Sequence, residues 1–306
     1  MTYKPLLVCL TAFTLAVWPY LDVHAQTDSD PIFDKKRVFR SLSDRWELDT
    51  STRKGTFLVT AYKPVYVTAG RWSSDPNEHP VSENPAYTYP FFITLGRYEA
   101  RFQLSMKVKV LQGIFGKWGD LWVAYTQKSH WQVYNTTFSR PFRETNYEPE
   151  IILNFPANFS ILGLKTRMFG IALNHQSNGR ALPLSRSWNR VILHAGFERG
   201  KWVVMLRPWM RLPDADDENP AVTDYIGRAD ATVIYRTGRH LFSAVGSHSL
   251  RWGDKNKGQV QFDWTFPVTG NLRGDLQILH GYGETLIDYN HSQTTIGIAV
   301  SLVDWL

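Results

Sequence analysis

The segment LNHQSNGRALPLSRSWNRVILHAGF, residues 173–197, sets His175, Ser177 and Asn189 among residues that otherwise read as apolar β-strand. Those three residue types together carry nucleophilic catalysis. A serine hydroxyl is weakly nucleophilic until a neighbouring imidazole takes its proton, and the imidazole needs its other nitrogen hydrogen-bonded to hold tautomer and orientation. An asparagine amide can supply that bond, although it stabilises an imidazolium less than an aspartate does. Side chains alternate along a strand, so His175 and Ser177 share a face with Phe169, Ile171 and Leu173. Gly170, Ala172, Asn174 and Gln176 take the other face. In the next strand Asn189 falls with Val191, Leu193, Ala195 and Phe197. All three polar groups therefore stand on apolar faces, near the ends of two strands joined by NGRALPLSRS.

The same alternation recurs along the chain and must supply the scaffold. RFQLSMKVKV puts Phe102, Leu104, Met106, Val108 and Val110 opposite Arg101, Gln103, Ser105, Lys107 and Lys109. GQVQFDWTFPV and TTIGIAVSLVDWL repeat the pattern, and after the N-terminal segment no run of eighteen apolar residues offers a spanning helix. A soluble sandwich would turn the apolar faces inward, whereas an outer-membrane barrel would turn them to lipid and fill its interior with the polar set. Export decides between them. The N-terminus carries Lys4, an apolar run and a small-residue site before Gln26, a secretory signal expected to span residues 1–25. The only cysteine of the 306 residues, Cys9, lies in that signal, so neither disulfides nor thiolate metal sites serve the exported chain. With 14% aromatic residues and a charged polar face, the chain reads as an all-β transmembrane antiparallel barrel. At one strand plus connection per ~20 to 25 residues it would hold about twelve or fourteen strands. The domains expected are a segment on the periplasmic side at 26–55 and a single barrel at 56–306. The formal charge of +6 suits an anionic lipid surface or nucleic acid, and export makes lipid the partner, with no nucleic acid.

On a barrel, each outward polar residue taken singly reads as a mark of the headgroup rim. His175, Ser177 and Asn189 taken together read as base, nucleophile and orienting group. LWVAYTQKSHWQVY carries a second anomaly, because Gln127 shares the apolar face with Leu121, Val123, Tyr125 and Trp131. A lipid-facing amide without partners favours pairing with another chain, so Gln127 is expected at an oligomer contact. The acidic cluster DADDE, 214–218, reads as a solvated loop before it reads as a metal site.

The ordered motifs NHQSNGR, SRSWNR, YTQKSHWQ, PFRETNYEP and GYGETLIDYN closely resemble outer membrane phospholipase A of Gram-negative bacteria. The likeness runs from about residue 101 to the C-terminus and is less clear over residues 26–95. The resemblance implies twelve antiparallel strands and a calcium-dependent lipase of the outer membrane, active as a homodimer on phospholipids and lysophospholipids, with Ser177 as nucleophile, His175 as base and Asn189 orienting it. It implies that Ca2+ is held by the Ser185 hydroxyl and the Arg180 carbonyl, with the Ser139 carbonyl of a partner subunit. It also implies that the Gly179 N–H helps form the oxyanion hole and that Gln127 lies at the dimer interface. Where family members carry an acidic residue for an additional calcium site, this chain has Leu182. The competing readings are a passive porin, for which the inward face would matter, and a structural barrel that works through its loops.

Overall fold

The computed structural model describes residues 40–137 and 140–305. The expected signal at 1–25 and Ser139 lie outside the described residues. In chain order the helix α1 (Leu42–Trp46) and a short strand β1 (Val59–Ala61) precede twelve longer strands. These are β2 (Val65–Ser73), β3 (Tyr98–Leu111), β4 (Asp120–Trp131), β5 (Phe142–Ile161), β6 (Leu164–Ser177) and β7 (Ser187–Arg199). They continue with β8 (Trp202–Leu212), β9 (Ala229–Thr237), β10 (His240–His248), β11 (Gly258–Thr269), β12 (Leu272–Tyr282) and β13 (Ser292–Val303). Each pairs antiparallel with its neighbour in sequence, and β13 returns to pair with β2, so β2 to β13 close into a twelve-stranded barrel. β1 lies end to end with β2 along β3, with Val59 to Ala61 opposite Val108 to Met106. The interruption at 62–64 lets Lys63 turn inward to Glu148 at 2.7 Å.

Closure leaves the sheet no long open edge, and alternation then assigns the two faces. In β3, Glu99, Arg101, Gln103, Ser105, Lys107 and Lys109 are all buried, whereas Leu104 and Met106 are exposed. Ile296, Ile298, Val300 and Leu302 are likewise exposed on β13. Apolar outside and charged inside is the arrangement of a sheet solvated by lipid. No helix of the described residues is long and apolar enough to cross a membrane.

Many of the interior charges are paired. Glu99 accepts from Arg143 at 2.5 Å and from Arg71 at 3.2 Å, and Arg143 also reaches Asp288 at 2.7 Å. Further along the barrel, Glu148 and Glu150 meet Lys63, Arg190 and Arg207. An internal cavity of about 250 Å³ remains among these residues.

The two ends differ. At one end the strands turn tightly, and Leu162 and Gly163 take φ of 49° and 76°, the left-handed pair of a type I′ hairpin. Short turns face the periplasm in barrels of this class. α1 is set into that end, capped by Ser41, whose hydroxyl accepts from the Asp44 N–H at 3.1 Å. Trp46 packs edge-on against Tyr62 and Trp122, and the buried Lys107 ammonium lies 3.3 Å from the Trp46 ring centre. That ammonium has no hydrogen-bond partner among the described residues, so ring faces take the place of one. Arg45 donates to the carbonyls of Asp304, just past β13, and Tyr62, just before β2. The opposite end carries the longer connections, and outward aromatic pairs mark both levels. Trp131 stacks on Phe142 at the long-loop end, and Trp202 packs on Tyr235 at the short-turn end.

Candidate active site

β6 ends and β7 begins at the long-loop end, and their register places His175 directly opposite Asn189. On the outer face His175 Nδ1 and Asn189 Oδ1 are 2.8 Å apart. An amide oxygen only accepts, so Nδ1 carries the hydrogen and Nε2 is left with its lone pair free to act as a base. Ser177 follows two residues later on the same face, with its Cα opposite Ser187 on one side and Tyr147 of β5 on the other. Its hydroxyl makes no hydrogen bond among the described residues, and His175 is exposed.

What holds this outer pair still is the inner face of the same two strands. One register step away Asn174 faces Arg190, whose Nε donates to the Asn174 amide oxygen at 2.9 Å. Asn174 and Arg190 both donate to Glu148, at 3.0 and 3.1 Å. The Arg190 guanidinium also stacks 4.0 Å from the Trp188 ring, whose N–H donates to Gln176. Every residue from 174 to 177 therefore sits on backbone whose inward neighbours are fixed.

The connection 178–186 is built around two buried residues. Asn178 donates from its side chain to the Leu184 carbonyl at 2.8 Å, and its amide oxygen accepts from the N–H groups of Arg186 and Arg180. The buried Arg186 guanidinium donates to the carbonyls of Pro183, Ser185, Val81 and Tyr87, tying this loop to the β2–β3 connection. Burial pushes the Arg186 guanidinium below its usual range, and the neighbouring Tyr289 and Glu144 work against that shift. Gly179 turns with φ of 63°, and its N–H makes no hydrogen bond among the described residues. The Ser185 hydroxyl donates to Glu218 at 2.5 Å, and the second oxygen of that carboxylate is buried without a partner among the described residues.

The structure thus brings His175, Ser177, Asn189, Gly179, Arg180 and Ser185 to one end of the barrel. It also refines two expectations. The Gln127 amide is not left unpaired: it accepts from Tyr125 at 3.1 Å and donates to Ser129 at 3.2 Å, and Ser129 is further bonded by Thr145. The 214–218 cluster is not simply solvated, because Asp216 accepts from Tyr87, Asp217 from Arg211 and Glu218 from Ser185. Glu218 and Tyr147 are the residues at the site that sequence reasoning missed. Only the register and the loop crossing bring them there.

Twelve antiparallel strands closed on themselves with an apolar outer surface define the class: this is a multi-pass β-barrel of the bacterial outer membrane. The phospholipase A1 family model matches residues 42–302. The chain is 37% identical to phospholipase A1 of Klebsiella pneumoniae over 248 residues, 81% of this chain and 83% of the relative. It superposes with a TM-score of 0.74 and 36% identity on the calcium-bound dimer of the Salmonella typhi outer membrane phospholipase, covering 82% of this chain and 95% of that one. An active-site mutant of Escherichia coli outer membrane phospholipase A, with an asparagine replaced by alanine, gives 0.74 at 34% identity, covering 83% of this chain and 95% of that one. The chain belongs to the phospholipase A1 family.

Proposed function

We propose that this protein is an outer-membrane phospholipase A1/A2 that hydrolyses acyl esters of phospholipids and lysophospholipids with Ser177, His175 and Asn189. The observation that carries the assignment of residues is the bonded His175–Asn189 pair beside Ser177, on the lipid-facing surface at the rim. In this reading the Ser177 oxygen attacks the ester carbonyl carbon as His175 Nε2 takes its proton. His175 then protonates the departing alcohol oxygen while the carbon–oxygen bond breaks, leaving an acyl-serine. Water, deprotonated by His175, attacks the acyl-serine and releases the fatty acid, and the proton returns to Ser177. Asn189 holds the ring through both steps, and the Gly179 N–H receives the oxyanion. An outward site at headgroup depth lets the acyl chain stay in lipid while the ester meets the serine.

The residues expected to hold calcium fit it. Ser185 and Arg180 offer a hydroxyl and a carbonyl, and the orphaned oxygen of Glu218 beside Ser185 adds a carboxylate, an all-oxygen set suited to a hard cation. Calcium bound there would lend positive charge to the carbonyl under attack. The Salmonella relative is a calcium-bound dimer, which supports the same assembly here. A partner's Ser139 carbonyl would complete each site. Gln127 keeps one amide N–H and one lone pair beyond its two bonds, and these would serve a second copy.

The decisive test is fatty-acid release from phospholipid–detergent micelles by refolded protein, with calcium and with chelator, beside Ser177→Ala. Calcium-dependent release that the substitution abolishes is expected. Release that survives Ser177→Ala would sink the assignment.

A further inference from the structure

Tyr147 belongs to the motif PFRETNYEP, yet nothing in the mechanism above uses it. It sits on β5 directly opposite Ser177, on the outer face between inward-facing Asn146 and Glu148. The residue is 36% exposed. Two of its carbons lie 3.1 and 3.6 Å from where a side chain would begin at Gly179, so the ring is the wall against which the left-handed turn rests. Any residue but glycine would have to push the ring back by a few tenths of an ångström as well as strain the backbone. The phenol makes no hydrogen bond among the described residues. A tyrosine hydroxyl on a lipid-facing surface ordinarily finds a partner, because the ring is apolar and the hydroxyl is not.

We infer that Tyr147 is a positioning and specificity residue, whose ring sets the Gly179 turn and whose free hydroxyl donates to the phosphodiester of the lipid held over Ser177. The two halves follow from where the atoms stand. Ring carbons touch the turn that aims the Gly179 N–H, so the ring acts on the transition state. The tyrosine side chain is longer than the serine by a ring, and it stands directly opposite on the neighbouring strand. A glycerophospholipid whose ester lies over Ser177 has its phosphate a few bonds further on, within that reach. A hydrogen bond to a phosphate oxygen is charge-assisted and raises affinity for lipids that carry one.

This inference rests on the phospholipase reading, and the experiment separates the two. Full-length wild type, Tyr147→Phe and Tyr147→Ala would be assayed in calcium-containing mixed micelles against phosphatidylcholine and against an uncharged acyl ester. Labelling of Ser177 by a fluorophosphonate would be timed in parallel, and heat-modified gel mobility would report the folded barrel. Tyr147→Ala is expected to lower kcat on both substrates about tenfold or more and to slow labelling in step. Tyr147→Phe should restore kcat and labelling, yet keep a KM raised about tenfold for phosphatidylcholine alone, the worth of one hydrogen bond to a charged group. Wild-type kcat in folded Tyr147→Ala would overturn the role of the ring. An unchanged KM for phosphatidylcholine in Tyr147→Phe would overturn the role of the hydroxyl. A wild-type protein that neither hydrolyses nor labels would defeat the phospholipase reading itself.

Discussion

The β6–β7 pair carries two polar couples one register step apart, and they have opposite surroundings. Asn174 and Arg190 face inward, buried, and share Glu148 with Lys63. His175 and Asn189 face outward, joined by one 2.8 Å hydrogen bond and open to what lies outside the barrel. The inner couple is satisfied several times over and has no group free to react. The outer couple leaves Nε2 of the histidine uncommitted, next to a serine whose hydroxyl is equally free. On a strand the step from structural to chemical is one residue, because alternation sends neighbours to different solvents.

That contrast breaks most visibly at the serine. Ser177→Ala should cost activity about 10⁴-fold or more while leaving the thermal midpoint of the folded barrel where it was; a clear fall in the midpoint would mean that the outer face is structural too. The inner face should answer in the other currency. Glu148→Gln leaves Arg190 without its carboxylate and Lys63 with Glu150 alone, and is expected to destabilise the barrel by about 3–5 kcal/mol in urea unfolding into detergent, the usual cost of breaking a buried ion pair. Unfolding curves that superpose on wild type would refute it. Asn189→Ala removes one hydrogen bond to the working imidazole and should lower kcat about tenfold to a hundredfold with stability unmoved. A loss as large as that of Ser177→Ala would give Asn189 more than an orienting role.

The smallest effect belongs to the plug. A hydrogen bond from Ser43, with Arg167 beside it, holds the Asp49 carboxyl below its ordinary value. A carboxyl so depressed stabilises the fold above its unfolded pKa and loses that contribution as pH falls through the folded one. The difference in thermal midpoint between wild type and Asp49→Asn should therefore shrink as pH drops below about 4. A constant difference would place the effect of Asp49 elsewhere.

The barrel was legible because period-two alternation survives in strand after strand, with Lys107 and Lys109 marking the inward face of β3 as plainly as Leu104 and Met106 mark the outer. The number of strands was legible from length only as twelve or fourteen, since connection lengths run from two residues at 162–163 to more than twenty between β2 and β3. α1 escaped for a related reason: five residues are too few to show a helical period, and Leu42 and Trp46 pack as a plug, not as a stripe. Within the site, His175, Ser177 and Asn189 were readable from spacing along adjacent strands. Glu218 and Tyr147 were not, because one arrives on a loop from β8 and the other by the register of β5. Gln127 shows the limit of arguing from an unsatisfied amide, as its own strand supplies Tyr125 and Ser129 as partners.

Arg45 reaches Asp304 and Tyr62, which flank the pair of strands where the sheet meets itself. The helix that stops the short-turn end is thus also the clasp of the ring. Its two carbonyl anchors come together only when the first and last strands have met, whereas its other ties, to Glu198, Lys109 and Arg167, are made to strands away from that seam. Completion of the wall therefore adds two hydrogen bonds to those that already hold the plug. An assembly that stalls before that step would offer a surveillance protease an open edge and a plug short of two of its bonds, whereas a finished one offers neither.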